Sequence, residues 1–135
     1  MAAAPASAAY DSSKAGLNAL ARAIAVDYGP QGIRANALCP GWIITPMGDE
    51  SMDELGAARG LSRQEAYELA NADVPLRRAG TAEEMASCCL FLASDESSIV
   101  TGTTLVADGG GRAVELTSRS TLANPVDPAP ARSST

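Results

Sequence analysis

Two residues near the amino terminus have the types and the spacing that proton transfer requires. Tyr10 and Lys14 are four positions apart, so a helix would place both side chains on one face, about one turn from each other. A phenol ordinarily has a pKa of about 10 and carries protons poorly at neutral pH, but a nearby ammonium stabilises the phenolate. The pair could therefore act as a general acid or base. The competing interpretation is two solvated neighbours on a helix surface, because spacing alone does not fix a role.

The surroundings of the pair favour the chemical interpretation. Lys14 is the only lysine in the chain, and every other basic residue is an arginine. The flanking stretch from Ala9 to Gly16, Ala-Tyr-Asp-Ser-Ser-Lys-Ala-Gly, is also longer than a simple pair. Because the chain uses arginine at every other basic position, the lysine at position 14 is not explained by a composition rich in lysine.

The pair lies at the start of a predicted helix. Ser7 is a possible N-cap, and Gly29-Pro30 ends the helix. Between them, apolar residues recur at helical spacing and form one stripe, which we interpret as core packing: Leu17, Leu20, Ala21, Ile24, Ala25 and Tyr28.

A short strand is predicted over Ile33–Cys39, where apolar residues alternate between Gly32 and Pro40-Gly41. In an open α/β sheet, ligands lie beyond the carboxyl ends of the strands, which is where Pro40–Thr45 falls. Gly41 would allow a ligand to approach the backbone closely, and Thr45 offers a hydroxyl. The competing interpretation of Pro-Gly is an ordinary turn.

The remaining elements follow from local signals. Met47 to Ala72 contains two weak helical patterns, and the second begins at a capping box, Ser62-Arg63-Gln64-Glu65. Another capping box, Thr81 to Glu84, begins a helix with a predicted buried stripe at Met85, Cys88, Cys89 and Leu92. We interpret Arg77 and Arg78 as solvated or paired with local carboxylates rather than as an anion site. Thr103–Ala107 is a second predicted strand.

Together these motifs resemble the C-terminal half of a short-chain dehydrogenase/reductase. The resemblance runs from about Ala8 to Gly110 and rests on linked motifs in the right order: Ala9 to Gly16, Ile33 to Gly41, Thr45, Thr101-Gly102 and Asp108-Gly109-Gly110. It implies an α/β fold, the C-terminal portion of a Rossmann-type doubly wound parallel sheet, incomplete in this chain. That portion would occupy residues 1–111, with a disordered tail over 112–135.

The resemblance also assigns roles to residues. Tyr10 would be the general acid that protonates a carbonyl oxygen as hydride arrives, or the base in the reverse direction. Lys14 would favour the phenolate and hold the nicotinamide ribose hydroxyls. The cofactor would be NAD or NADP, and the substrate a small carbonyl or alcohol. The segment from Pro40 to Thr45 would line the nicotinamide.

Individual positions in that segment follow in the same way. Pro40 and Gly41 would border the nicotinamide, the backbone at Ile43 would meet its carboxamide, and Thr45 would lie near the phosphates. We expect Trp42 and Met47 to reach the substrate. The region from residue 47 to residue 72 would be a mobile flap over the substrate, although two ordinary surface helices fit the same pattern. The first helix would form part of a dimer interface in a homo-oligomer.

Parts of the family's machinery do not occur in this sequence. We find no Gly-rich strand-to-helix turn for a pyrophosphate and no Asn-Ala-Gly strand, and the family's catalytic serine would fall before Met1. Two strands alone cannot cover both faces of a parallel sheet. We therefore expect a truncated dehydrogenase, from a misplaced start or gene decay, that is inactive alone.

Composition narrows the function classes further. The net charge is −6 without a basic cluster, which argues against nucleic acid and anionic membranes as partners. No apolar run approaches a membrane span, and we expect no signal peptide. The chain has no histidine and three cysteines without metal-ligand spacing, so we expect no metal site. We interpret Cys39, Cys88 and Cys89 as buried thiols of a cytoplasmic protein.

Alternatives of different class remain open on the sequence. The first is the catalytic portion of an NAD(P)-dependent oxidoreductase. The second is a non-catalytic module in which the first helix and the Thr103 strand pair with a full-length relative. A sugar-nucleotide epimerase also uses Tyr-x-x-x-Lys, but the Pro40–Thr45 segment and the Asp108-Gly109-Gly110 ending favour the simpler dehydrogenases.

Overall fold

The computed structural model describes residues 7–114, and within that range the chain forms four α-helices and two β-strands. In chain order these are α1 (Ala8–Tyr28), β1 (Ala37–Pro40), α2 (Pro46–Arg59), α3 (Arg63–Ala70), α4 (Ala82–Ala93) and β2 (Thr104–Ala107). Short 3-10 helices follow α1 at Gly29–Gln31 and α4 at Asp95–Ser97. The mixture of helices with a parallel sheet agrees with the predicted α/β class.

The two strands pair in parallel, with Ala37 opposite Thr104 and Pro40 opposite Ala107. Parallel pairing brings their carboxyl ends to the same edge of the sheet. Pro40 has no amide hydrogen, but the amides that donate to β2 are those of alternate residues, such as Ala37 and Gly41, so the Pro40 nitrogen lies on the other edge of β1. The segments that leave both strands therefore emerge side by side.

The strand predicted from Ile33 begins only at Ala37, so its first half was wrong. Side-chain hydrogen bonds, together with one backbone bond from the Gly102 amide to the Ala35 carbonyl at 2.8 Å, hold the preceding residues. Arg34 Nη1 and Asn36 Nδ2 both donate to the Val100 carbonyl, at 3.1 and 2.9 Å, and the Ala35 amide donates to Thr101 Oγ1 at 3.1 Å. Alternating apolar character cannot reveal such side-chain competition. The second strand matches its predicted span to within one residue.

Both predicted capping boxes are confirmed. The Ser62 hydroxyl accepts from the Glu65 amide while the Glu65 carboxylate accepts from the Ser62 amide, at the start of α3. Thr81 and Glu84 make the same reciprocal pair at the start of α4. Each box satisfies backbone donors that the helix itself leaves open.

The buried core lies between α2 and α3 rather than under the sheet. Met52, Ala66, Tyr67 and Ala79 form it, with Leu55 and Ala70 packed against them. The stripe of α1 was predicted to pack in the core, but Ala25 is the only buried residue of that helix. Leu17, Leu20 and Tyr28 are exposed. The core of the described chain is therefore in the region predicted to be a mobile flap.

The predicted stripe of α4 is also less buried than expected. Met85, Cys88 and Leu92 are half-buried and Cys89 is exposed. The interpretation of all three cysteines as buried was wrong, since Cys39 is half-buried as well. All three are free thiols.

A turn closes the described chain. The Asp108 carboxylate accepts from the amides of Gly110 and Arg112, each at 2.9 Å, and the Ala113 amide donates to the Gly110 carbonyl. Residues 112–114, assigned to a disordered tail, thus belong to an ordered turn. The rest of the predicted tail, 115–135, lies outside the described residues.

Candidate functional site

Tyr10 and Lys14 lie on one face of α1, as their spacing predicts. The Lys14 Nζ atom is 5.4 Å from the centroid of the Tyr10 ring, within reach of a cation–π contact. Tyr10 occupies the first turn, where the helix dipole adds positive character to that of the ammonium. Its side chain is 58% exposed. The phenol is therefore accessible to a ligand and sits in positive surroundings.

The first turn is held by a different contact from the one predicted. Ser7 is at the N-cap position, but its side chain makes no cap bond to the backbone. Its hydroxyl instead donates to the Asp11 carboxylate at 2.5 Å. The Asp11 amide donates to the Ser7 carbonyl at 2.8 Å. This arrangement fixes the turn that carries Tyr10.

A cleft of about 660 Å³ brings the pair together with the end of β1. Tyr10, Lys14 and Asn18 line the α1 wall, and Pro40 and Gly41 line the opposite wall. The thiol of Cys39, next to Pro40, lies 3.5 Å from Asn18 Oδ1. Sequence reasoning missed Asn18. Its place four residues after Lys14 continues the Tyr10–Lys14 spacing and was the signal available.

The charged side chains that line this cleft are cationic. Among residues 7–114 they are Lys14, Arg34 and Arg112, and no carboxylate of that range is in the lining. Arg34 is held in place by hydrogen bonds to the carbonyls of Ser94 and Val100. Cationic side chains attract anionic ligands such as phosphates. The cleft thus has the electrostatic character of an anion-binding site within a chain of net negative charge.

Gly41 has a packing role in addition to the predicted ligand approach, which stays a prediction. Its amide donates to the Ala107 carbonyl at 3.1 Å, which extends the β1–β2 pairing. A Cβ atom at this position would lie 3.0 Å from Asp108 Cα and 3.1 Å from Asp108 Cβ. Glycine therefore allows the two strand ends to approach each other. This packing fixes the position of the segment that follows.

Ile43 continues that segment beside Gly80. The Ile44 amide donates to the Gly80 carbonyl at 3.0 Å, and the Gly80 amide donates to the Trp42 carbonyl at 2.9 Å. In a parallel bridge of this kind, the amide and carbonyl of the middle residue point to the opposite side. The backbone of Ile43 therefore faces away from Gly80.

Thr45 has a clear structural role at the start of α2. Its side chain accepts a hydrogen bond from the Gly48 amide at 3.2 Å and so caps the helix, while Pro46 occupies the first turn. The predicted contact with phosphates would have to use the same hydroxyl or the neighbouring helix end. The structure assigns the cap and does not test the phosphate contact.

The two predicted substrate residues do not line the cleft of Tyr10 and Lys14. Trp42 lines a separate cavity of about 220 Å³, together with residues of α4 and the turn after β2. Met47 is 75% exposed in the first turn of α2. The structure therefore groups Tyr10, Lys14, Pro40 and Gly41 and leaves the substrate assignments as predictions.

An ion-pair network joins α2 to α3. Arg63 donates to both carboxylate oxygens of Asp53, at 2.7 and 2.6 Å, and to Asp49 at 3.1 Å. The hydrogen bond from Arg63 lowers the pKa of Asp53. The Tyr67 hydroxyl donates to the other oxygen of Asp49 at 3.0 Å. Burial, followed by this hydrogen bond, raises the pKa of Tyr67.

The arginine before α4 is paired locally, as predicted. Arg78 contacts both oxygens of Glu84, at 2.9 and 2.6 Å. These bonds, followed by that from the Thr81 amide, lower the pKa of Glu84 to about 2. The neighbouring Arg77 donates to the Ala72 carbonyl. Neither contact marks an anion site.

Residues 7–114 contain no group of three or more cysteine, aspartate or glutamate side chains arranged to hold a metal ion. No helix in this range is long and apolar enough to cross a membrane.

Comparison with known proteins identifies the family. A family model described as enoyl-(acyl carrier protein) reductase matches residues 1–112. "Dehydrogenase/reductase SDR family member 6" of Danio rerio is 43% identical over 103 residues, 76% of this chain and 40% of the relative. The chain belongs to the short-chain dehydrogenase/reductase family. "Protein MoaE" of Klebsiella aerogenes is 52% identical over 116 residues, 86% of this chain and 45% of the relative.

Solved structures of the short-chain dehydrogenase/reductase family confirm the Rossmann-type fold class. The ligand-free aldohexose dehydrogenase of Thermoplasma acidophilum superposes with a TM-score of 0.78 at 32% identity, covering 84% of this chain and 44% of that one. A family member from Francisella tularensis gives the same TM-score and identity, with 83% and 46% coverage. The chain spans less than half the length of these relatives, and its two-stranded sheet is an incomplete Rossmann sheet.

Proposed function

We propose that this chain supplies the proton-transfer pair and the nicotinamide-facing segment of an NAD(P)-dependent oxidoreductase. The observation that carries the proposal is the single cleft in which Tyr10 and Lys14 face the carboxyl end of β1. The short-chain dehydrogenase/reductase family supports the reaction class. Hydride transfer between a nicotinamide and a carbonyl or hydroxyl group needs one proton donor or acceptor beside the reacting oxygen.

The residues of the cleft fit the nicotinamide end of such a cofactor. The cationic lining of the cleft suits its phosphate. Two residues beyond that lining, the backbone of Ile43, which faces away from Gly80, offers an amide to its carboxamide. When bound, the cofactor supplies or accepts the hydride. A family neighbour, an actinorhodin polyketide ketoreductase, was solved with NADPH. The residues present support a nicotinamide cofactor in general, and either NAD or NADP satisfies the proposal.

The remaining steps belong to this chain's own residues. Tyr10 protonates the carbonyl oxygen in reduction and takes the hydroxyl proton in oxidation. Lys14, whose ammonium lies 5.4 Å from the centroid of the Tyr10 ring, favours the phenolate and binds ribose hydroxyls. Pro40 and Gly41 form the floor beside the nicotinamide. Thr45 and the N-terminus of α2 lie toward the phosphates.

We propose a small-molecule carbonyl or alcohol as substrate. Met47, exposed in the first turn of α2 at the end of the cofactor segment, is the residue we place against it. Trp42 would contact substrate only from the neighbouring cavity. The free thiols agree with a reducing compartment, so we propose a cytoplasmic enzyme.

A chimera tests the catalytic proposal. The matched segment of the Thermoplasma acidophilum aldohexose dehydrogenase is replaced by this chain, and nicotinamide-dependent turnover is measured with Tyr10→Phe, Lys14→Met and the control Tyr28→Phe. We expect Tyr10→Phe to lower kcat at least a hundredfold, since general acid–base catalysis contributes about 10²–10⁴-fold. Circular dichroism verifies that each variant is folded. A folded, active chimera that is indifferent to Tyr10→Phe contradicts the proposal.

The second candidate is a non-catalytic interaction module, and the exposed apolar residues of α1 favour it. Leu17 and Leu20 are about half exposed on α1, and the match covers only 44% of the Thermoplasma acidophilum relative. Such a face could dock on a second copy or on a full-length relative. Size-exclusion chromatography of the chain mixed with the Klebsiella aerogenes relative tests this candidate. A stable complex that persists in Tyr10→Phe, without nucleotide binding by either variant, would favour the module over the enzyme.

A further inference from the structure

Tyr67 connects the α2–α3 pair to the segment proposed to face the nicotinamide. Its side chain is 8% exposed and belongs to the core cluster. Its hydroxyl donates to Asp49 in the first turn of α2, at 3.0 Å. The Asp49 amide in turn donates to the Thr45 carbonyl at 2.7 Å. One buried phenol thus contacts the first turn of α2, and the backbone of that turn is bonded to the residue that caps it.

Gly48 packs closely between the Tyr67 hydroxyl and the Ile43 backbone. A Cβ atom added at Gly48 would lie 2.3 Å from the Ile43 carbonyl oxygen and 2.7 Å from the Tyr67 hydroxyl. A residue with a side chain at position 48 would therefore push Tyr67 and the Ile43 backbone apart. A shift of the phenol would displace the first turn of α2 and the Ile43–Thr45 segment together.

Ion pairs and core packing join α2 to α3 next to the Tyr67–Asp49 contact. Arg63, at the start of α3, bonds Asp49 and Asp53 of α2. Tyr67 lies one turn further along α3 and packs with Met52 of α2. A displacement of either helix would therefore move the Tyr67 hydroxyl.

We propose that Tyr67 is a positioning residue whose hydroxyl fixes the Ile43–Thr45 segment in the geometry that receives the nicotinamide. That the hydroxyl of Tyr67 fixes the Ile43–Thr45 segment follows from the contacts alone. That this segment receives the nicotinamide rests on the proposed function. Tyr67 acts through the segment and touches no reacting atom.

Amide hydrogen exchange of the 135-residue chain tests the control. Tyr67→Phe removes only the hydroxyl, Tyr28→Phe is the matched control on α1, and Asp49→Asn keeps an acceptor for Tyr67. We expect Tyr67→Phe to accelerate exchange at Ile44, Thr45 and Gly48 roughly five- to tenfold, the loss of about one hydrogen bond. Exchange in α4 should not change. Asp49→Asn should exchange as the wild type does, and Asp49→Ala should behave as Tyr67→Phe does.

Binding of reduced nicotinamide mononucleotide to the same variants tests the role of the segment. We expect Tyr67→Phe to weaken binding about fivefold and Tyr28→Phe to leave it unchanged. If Tyr67→Phe accelerates amide exchange at Ile44, Thr45 and Gly48 but the wild type does not bind the nucleotide, the positioning role of Tyr67 stands and the proposed function is overturned. Unchanged exchange at Thr45 and Gly48, or an equal acceleration throughout α4, would overturn the positioning role itself.

Discussion

The α2–α3 pair and helix α1 use their apolar residues in opposite ways. Met52 and Ala66 are 1% and 0% exposed between α2 and α3, where capping, ion pairing and packing all agree. In α1, by contrast, Leu17 and Leu20 are about half exposed although the helix is 21 residues long. The region expected to move carries its own core, and the helix with the candidate catalytic pair does not. Stability and proposed chemistry therefore belong to different parts of this chain.

Truncating the buried methionine should have the largest effect. Met52→Ala leaves a cavity in the core cluster and should lower the free energy of unfolding by about 2–5 kcal/mol. Met47→Ala, five residues earlier and 75% exposed, should change it by less than about 0.5 kcal/mol. Urea denaturation measures both. Equal losses of unfolding free energy in the two variants would contradict the assignment of Met52 to the core and of Met47 to the surface.

A methyl group added to glycine distinguishes the same two regions. Gly48→Ala places a Cβ atom 2.3 Å from the Ile43 carbonyl oxygen and should cost about 1–3 kcal/mol. Gly16→Ala, where no atom lies within 4 Å in α1, should stabilise the chain by about 0.5–1 kcal/mol. Thermal unfolding of both variants gives the comparison. Destabilisation by Gly16→Ala would show that this face of α1 is covered in solution.

Acid should lower the free energy of unfolding through the ion pair of Glu84 and Arg78 at the start of α4. The pKa of this carboxyl is lowered from 4.5 to about 2 by Arg78, so its contribution to stability is complete above about pH 4.5 and is lost as the pH falls toward 2. Glu84→Gln should flatten this part of the pH dependence, whereas the neighbouring control Glu83→Gln should leave it in place. The urea midpoint between pH 2 and pH 6 measures the difference. The same slope in Glu84→Gln and wild type would refute the assignment.

A polar substitution on α1 should have the smallest effect. Leu20→Gln changes a half-exposed side chain and should alter the free energy of unfolding by no more than about 0.5 kcal/mol. Urea denaturation at two protein concentrations measures it. A loss above about 2 kcal/mol that grows with concentration would instead show that this face is buried between copies of the chain.

The features predictable from sequence were those with local causes. Ser62–Glu65 and Thr81–Glu84 stabilise helix starts within four residues, and the Tyr10–Lys14 spacing is a property of one helix. Features that depend on distant residues were missed. Tyr67 was not recognised as part of the core, because its partners at residues 43–49 lie about twenty positions away.

The same distinction explains the errors in the strand and the stripe. Val100 accepts bonds from the side chains of Arg34 and Asn36, which delays β1 to Ala37. The apolar stripe of α1 predicts an apolar contact but not which chain or segment supplies it. Asn18 continues the four-residue spacing of Tyr10 and Lys14, but it was missed because spacing alone does not fix a role.

Binding of half-cofactors to the 135-residue chain tests the central claim that the cleft beside Tyr10 and Lys14 receives a nicotinamide. Reduced nicotinamide mononucleotide and adenosine monophosphate are titrated separately into the isotopically labelled chain, up to about 10 mM. At this concentration, binding is detected even when its free energy is weaker than the roughly −4 kcal/mol of a millimolar complex. We predict that the nicotinamide half shifts resonances of Tyr10, Lys14, Gly41 and Ile43 and that the adenosine half does not. Equal shifts with both compounds, or none with the nicotinamide half, would contradict the account.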